Sequence, residues 1–198
     1  ETILEQNHTL GACVVLRRPS GQYDVFCHGT ARLLGRVPVT EETCFRVASV
    51  SKLVMTFGAL ALVERGTLKL DEDIAAYLGY PVRNPRHPDA PVTLRMLLTH
   101  TASIRDEGNY GSRGMQSGCT LRELLDNSEN WLPTRSGEAF HYSNLGAGVA
   151  GVVMERAAGM PFDDIMRQRV FEPLSIRASY DPRRISPASD LANGYSVR

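Results

Sequence analysis

Lysine is nearly missing from this chain: of its 22 basic residues only Lys52 and Lys69 are lysines and the rest are arginines. Ordinary surface charge is therefore left to arginine, and a lysine set in an apolar stretch calls for a reason. A block of basic residues is also missing. With 22 acidic residues balancing the 22 basic ones, the charge pattern carries no footprint of nucleic acid or of an anionic membrane surface. The most apolar run, Leu53 to Val63, is too short and too rich in alanine and glycine to cross a bilayer.

The four cysteines, Cys13, Cys27, Cys44 and Cys119, contain no C-x-x-C and no Cys/His group at metal-ligand spacing. No metal or other cofactor is expected, and there is no Gly-rich phosphate loop. A G-x-S-x-G elbow is absent, which argues against an α/β-hydrolase triad.

The chain has 198 residues, 42% of them hydrophobic, enough to bury a core as one domain or as one domain with a lobe. A neutral or small charged substrate suits its charge balance. Cys13 and Cys27 are placed to face each other across a hairpin, either as a disulfide or as buried free thiols. The chain begins at Glu1 without a methionine, so export stays open, and a periplasmic or extracellular location is favoured over a cytoplasmic one.

Gly11 to Arg17 and Tyr23 to Thr30 are apolar-rich runs flanking Arg18-Pro19-Ser20-Gly21-Gln22, the pattern of a β-hairpin. Val50 to Arg65 reads as a helix stopped by Gly66. Asp71 or Asp73 can cap a short helix reaching Leu78, and prolines from Pro81 to Pro91 forbid regular structure. Thr93 caps a helix through Leu98. Ser103 to Gly118 reads as a long surface loop. Helices are expected over Leu121 to Asp126, Gly146 to Ala158 and Phe162 to Val170, and periodicity fades after Pro173.

Ser49-Val50-Ser51-Lys52 puts a lysine three residues after a serine at a helix start, so that hydroxyl and ammonium share one face. A serine hydroxyl needs a neighbour to take its proton, and a lysine serves only if burial or nearby positive charge lowers its pKa. Phe45, Val47, Leu53, Val54 and Met55 are expected to wrap the pair in apolar surface. At a helix N-terminus, outward-pointing N–H groups also favour developing negative charge. Alone, S-x-x-K is a weak pattern.

Tyr142-Ser143-Asn144 supplies a second group of candidates. A tyrosine hydroxyl near the Ser/Lys pair can shuttle a proton, and an asparagine amide beside it can orient the lysine and a substrate carbonyl. The plain alternative is a turn starting a helix, with Ser143 or Asn144 as N-cap. His100 reads as a hydrogen-bonded structural histidine, and Asp71 and Asp73 as caps rather than paired acids.

Phe45 to Lys52, Leu62 to Leu78, Leu97-Leu98-Thr99-His100-Thr101, Gly137 to Asn144 and Ile165 to Leu174 together resemble, in order and separation, motifs of the serine β-lactamase and penicillin-binding-protein superfamily. The similarity is greatest to its class C and D-Ala-D-Ala carboxypeptidase branch, and it spans nearly all of residues 11 to 176. It implies an α/β (α+β) fold of the β-lactamase/transpeptidase kind, an antiparallel sheet flanked by helices plus a helical lobe, with Ser49 at their junction. It implies acyl transfer: Ser49 attacks a carbonyl, Lys52 and Tyr142 share the proton traffic, and Asn144 holds Lys52 and the substrate amide. The Ser49 N–H would form half of an oxyanion hole.

Two departures accompany the resemblance. After the LLTHT-like segment the family continues Ser-Gly, where this chain has Ala102-Ser103. The family's K-T-G or H-x-G triad has no match downstream of Tyr142. Residues 1–198 are therefore expected to form the N-terminal portion of one domain: hairpin over 1–48, mainly helical lobe over 49–176, irregular end over 177–198. The missing strands would lie on a complementary chain or segment, since without them the hairpin exposes an apolar edge. The expected substrate is a D-Ala-D-Ala peptide, an ester or a β-lactam. The alternative is a non-catalytic or penicillin-binding, sensor-like relative without turnover.

Overall fold

A computed structural model describes residues 2–108, 110 and 118–195. The chain folds as two units, Glu1–Ala48 with Arg177–Arg198, and Ser49–Ile176.

In the first unit a short helix α1 (Thr2–Gln6) precedes strands β1 (Gly11–Arg17) and β2 (Tyr23–Arg32), with a two-residue β3 (Val37–Pro38) on the far side of β2. The hairpin is antiparallel with Gly11 opposite Gly29 and Arg17 opposite Tyr23. Its turn is closed by Arg18 N–H donating to the Gln22 carbonyl at 2.8 Å, with Gly21 at φ 88°, and a two-pronged Arg18–Asp24 ion pair at 2.7 and 3.0 Å bridges the strand ends. Gly29 has φ 74°, and a Cβ there would lie 2.1 Å from the Leu10 carbonyl oxygen, so only glycine fits.

Thr30 N–H donates to the Leu10 carbonyl at 2.8 Å. Hydrogen-bonded pairs alternate along an antiparallel ladder, so Cys13 and Cys27 fall on a non-hydrogen-bonded pair, where side chains approach most closely. Their Sγ atoms are 3.7 Å apart and both are free thiols.

Large apolar side chains stand exposed on both hairpin faces: Val15, Tyr23 and Val25 on one, Val14, Leu16 and Phe26 on the other. Strands apolar on both sides are those of a sheet covered twice. The stretch read as an irregular end lacks a long strand but returns along this unit. Cys44 N–H donates to the Asp190 carbonyl at 2.8 Å, Ala192 N–H to Cys44 at 3.0 Å and Asn193 N–H to Ala31 at 3.0 Å. Arg177 pairs with Asp190 at 2.6 Å.

The second unit holds α2 (Val50–Glu64), α3 (Ala75–Leu78), α4 (Leu94–Leu98), α5 (Leu121–Asp126), α6 (Asn144–Ala158) and α7 (Phe162–Met166). Most bounds follow the sequence signals. Gly66 ends α2 at φ 73°, the Thr93 hydroxyl accepts from Met96 N–H, and Thr120 with Glu123 closes a capping box on α5. Of the two acids before α3, Asp73 accepts from Ala75 N–H at 3.0 Å, whereas Asp71 pairs with Arg95 at 2.6 Å. The helix expected over Phe162 to Val170 is α-helical to Met166 and then widens into one π-helical turn, Arg167–Phe171. The long loop expected from Ser103 to Gly118 falls partly on residues 109 and 111–117, outside the described residues.

The core lies where α6 packs on α2, α4 and α7. Three glycines weaken α6 by roughly 1 kcal/mol each as an isolated helix. Burial outweighs that, since Leu145, Val149, Val153 and Met154 are shut from solvent and each contributes about 1.5–3 kcal/mol. Gly58 of α2 allows the close approach: a Cβ there would sit 2.5 Å from Met166 Sδ.

Candidate active site

Ser49 ends the turn into α2 and has helical backbone angles, φ −70° and ψ −11°, with no capping hydrogen bond from its side chain. Its hydroxyl is thus not consumed by the helix end it occupies. Ala48, just before it, is held at φ 45°, a left-handed value that costs a non-glycine residue energy. One turn on, Lys52 Nζ donates to Ser49 Oγ at 3.2 Å.

Tyr142 and Asn144 arrive from the opening of α6, where the Ser143 hydroxyl caps the helix by accepting from Gly146 N–H at 2.8 Å. The N-cap is Ser143, which frees Asn144. Ser49 Oγ and Tyr142 Oη are 2.7 Å apart, and Lys52 Nζ donates to Asn144 Oδ1 at 2.7 Å. The ammonium also lies 4.9 Å from the centre of the Tyr142 ring. The structure therefore brings together all four residues singled out from the sequence: Ser49, Lys52, Tyr142 and Asn144.

The neighbouring Lys52 ammonium and the hydrogen bond with Ser49 hold the Tyr142 phenol below the usual tyrosine value, against a smaller opposing effect of burial. His100 packs its ring on Tyr142, centroids 4.6 Å apart, and on the edge of Phe140 at 6.0 Å. Its Nδ1 accepts from Ser143 N–H at 3.3 Å, which requires the neutral ring. Burial, helped by Lys52, pushes its pKa down, with Asp106 opposing.

One expectation needs correction. Phe45, Val47, Leu53, Val54 and Met55 do not form a common apolar wrap: Phe45, Val47 and Leu53 are exposed, Leu53 by 60%, and only Met55 is buried. Phe45 and Val47 precede α2, and within the helix Leu53, Val54 and Met55 point about 100° apart, so burial falls on Met55.

Sequence reasoning missed Asp106. Its carboxylate accepts four hydrogen bonds at the start of α6: from Ser143 Oγ at 2.8 Å, Asn144 N–H at 2.7 Å, Asn144 Nδ2 at 2.7 Å and Leu145 N–H at 2.9 Å. Burial raises its pKa, but these bonds together outweigh burial and hold it below the usual carboxylate value. No local pattern announces it, because its partners lie 37 to 39 residues away.

The Ala102-Ser103 departure also has a structural consequence. Ser103 sits at φ 62°, where glycine is favoured, and its buried hydroxyl donates to the Thr134 carbonyl at 2.6 Å and accepts from Asn84 Nδ2 at 2.9 Å. Among the described residues no three His, Cys, Asp or Glu side chains group as metal ligands.

A hydroxyl touching both an amine and a phenol of depressed pKa, at a helix N-terminus, is the arrangement of an activated oxygen nucleophile. The family model described as Beta-lactamase matches residues 1–197. The chain belongs to the beta-lactamase family.

Among curated members, esterase EstB of Burkholderia gladioli is 33% identical over 92% of this chain and 51% of its own length. Penicillin-binding protein 4* of Bacillus subtilis is 28% identical over 94% of this chain and 41% of its own. The octameric penicillin-binding protein homologue from Pyrococcus abyssi superposes with a TM-score of 0.82 at 25% identity, covering 98% of this chain and 46% of that one. The fold is that of this family, and the chain spans about half the length of the relatives it matches.

Proposed function

We propose that this chain carries the nucleophile half of a serine hydrolase that works through an acyl-enzyme on ester or amide carbonyls. The observation that carries the reading is the Ser49 hydroxyl, free of capping duty and within hydrogen-bonding reach of both Lys52 and Tyr142. Tyr142, as a phenolate held by the Lys52 ammonium, takes the Ser49 proton as Oγ bonds to the carbonyl carbon. The Tyr142 phenol returns it to the departing alcohol or amine, and water then attacks the ester to release the acid and regenerate the hydroxyl. Asn144 keeps Lys52 in register and offers its amide edge to the substrate. The Ser49 N–H, at the positive end of α2, stabilises the oxyanion.

Esters, D-Ala-D-Ala peptides and β-lactams are the candidate substrates, in keeping with an esterase, a penicillin-binding protein and beta-lactamases among the relatives. An assignment to the branch of class C enzymes and D-Ala-D-Ala carboxypeptidases is part of the proposal. A complementary segment bearing further strands is part of the proposal. It is supported by the apolar residues exposed on both hairpin faces, by the exposed α2 residues Val50, Leu53, Phe57 and Leu60, and by the relatives' greater length.

A second reading is a penicillin-binding or non-catalytic relative without turnover, in keeping with a penicillin-binding protein among the relatives. Incubation with a fluorophosphonate and a fluorescent penicillin separates the two. Label on Ser49 with continued ester turnover supports the hydrolase, retained penicillin label without turnover supports the binder, and no label on the full-length protein removes both.

A further inference from the structure

We propose that Asp106 is a positioning residue that locks the Asn144 amide in the one orientation able to receive Lys52. The inference rests on the catalytic reading of Ser49, Lys52 and Tyr142, and adds to that set a group from the loop that follows α4.

An asparagine amide offers an oxygen that only accepts and an NH2 that only donates, and rotation by half a turn exchanges them at little intrinsic cost. Here the two ends face opposite demands. Asp106 Oδ2, an acceptor, is 2.7 Å from Asn144 Nδ2, and Lys52 Nζ, a donor, is 2.7 Å from Asn144 Oδ1. Turning the amide over would set NH2 against the ammonium and oxygen against the carboxylate. With Asp106 in place, one orientation satisfies both contacts and the other neither.

Asp106 is itself held fast. Two α6 backbone N–H groups and the Ser143 hydroxyl fill its remaining acceptor sites, and a carboxylate at a helix start is further favoured by the helix dipole. Its neighbour Arg105 is pinned on both sides, its N–H to the Asn130 carbonyl at 3.0 Å and its Nε to the Glu129 carbonyl at 2.8 Å. Gly108, two residues on, lies so close to Glu129 that an added Cβ would stand 2.8 Å from it. Position thus passes from a packed loop through Asp106 and Asn144 to the amine beside Ser49.

A residue that only capped α6 would behave otherwise, and two variants of the full-length protein tell the roles apart. Asp106→Asn keeps the volume but brings its own NH2, so it cannot accept all four bonds. Ser143→Ala removes the α6 cap and one donor to Asp106 Oδ1 but leaves the Asp106–Asn144 side-chain contact in place. Acylation of Ser49 by a fluorophosphonate is expected to slow by 10- to 100-fold in D106N, the scale of a reacting group misplaced by about 1 Å. The KM for a p-nitrophenyl ester should change less than the rate, and the pH–rate limb should move upward as Lys52 loosens from Tyr142. S143A should lower Tm while keeping the wild-type pH profile.

The proposal is overturned if D106N folds and acylates at the wild-type rate with an unchanged profile, or if both variants lose rate and Tm in parallel. The NH2 resonances of Asn144 give a readout free of activity. In wild type they should be protected from solvent exchange, and a free-amide exchange rate overturns the contact whether or not D106N folds. If wild-type protein is not acylated at all, the catalytic reading fails, and the protection of Asn144 still decides whether Asp106 positions it.

Discussion

Ser49 Oγ and Tyr142 Oη meet at 2.7 Å although 93 residues separate them in the chain. Tyr142→Phe keeps the ring that packs on His100 and deletes only the hydroxyl. Acylation of Ser49 is expected to fall by about 10²–10⁴-fold, the usual contribution of a general base, while Tm stays close to wild type. Stopped-flow acylation with an activated ester and a thermal melt on the same samples check both halves.

The depressed Tyr142 pKa also sets a pH dependence. A phenol acting as base works when deprotonated, so the acylation rate should rise with pH through a limb lying below the ordinary tyrosine value of 10.0. Lys52→Met removes the cation that holds the phenol down, and its residual activity should show that limb displaced to higher pH. A limb unmoved in the variant would detach the phenol from the lysine.

His100 makes a stability prediction of the opposite sense. Its folded pKa lies below the unfolded value of 6.5, so in the window between the two the unfolded chain binds the extra proton. Stability should therefore fall as pH drops below 6.5 and level off below the folded pKa. Subtracting the Tm profile of His100→Gln from that of wild type isolates the contribution, which should vanish above pH 7.

Ser103 joins a strained backbone to a useful hydroxyl. Ser103→Ala keeps φ at 62° and deletes the hydroxyl bonds to Asn84 and Thr134; Asn84 Nδ2 keeps the Leu132 and Thr134 carbonyls, so the expected loss is that of a satisfied bond, about 0.5–1.5 kcal/mol. Ser103→Gly should cost less, because glycine relieves the left-handed strain that alanine retains. Urea denaturation of the two variants orders them.

Cys13 and Cys27 stand ready to be joined. Their facing register and the 3.7 Å between sulfurs predict that a mild oxidant such as oxidised glutathione closes a disulfide with loss of two thiols. A loop of this size stabilises by about 3 kcal/mol at most. Thiol titration before and after oxidation, with Cys13→Ser as control, measures it.

Much of this was legible from local pattern. The hairpin over Gly11 to Arg17 and Tyr23 to Thr30, whose second strand the structure extends to Arg32, the cap at Thr93 and the stop at Gly66 each rest on residues within a few positions of one another, so short-range sterics and hydrogen bonding reveal them. The motifs around Ser49 and Tyr142 were legible as chemistry for the same reason. Among the features that escaped are Asp106; β3, a two-residue strand defined by its pairing with β2; and the uneven burial around Lys52, which depends on which helix face meets α6.

The amino-acid order alone determined that a serine and a lysine share a helix face, that a tyrosine and an asparagine flank a helix start, and that the ensemble belongs with one family's motifs. Whether those groups touch was decided by tertiary structure. Helix packing closes 93 residues into one contact at Ser49 and Tyr142, and a carboxylate at Asp106 chooses the face that Asn144 turns to Lys52. Hydrogen bonds act over about 3 Å whatever the distance along the chain, so no spacing rule could have found that acid.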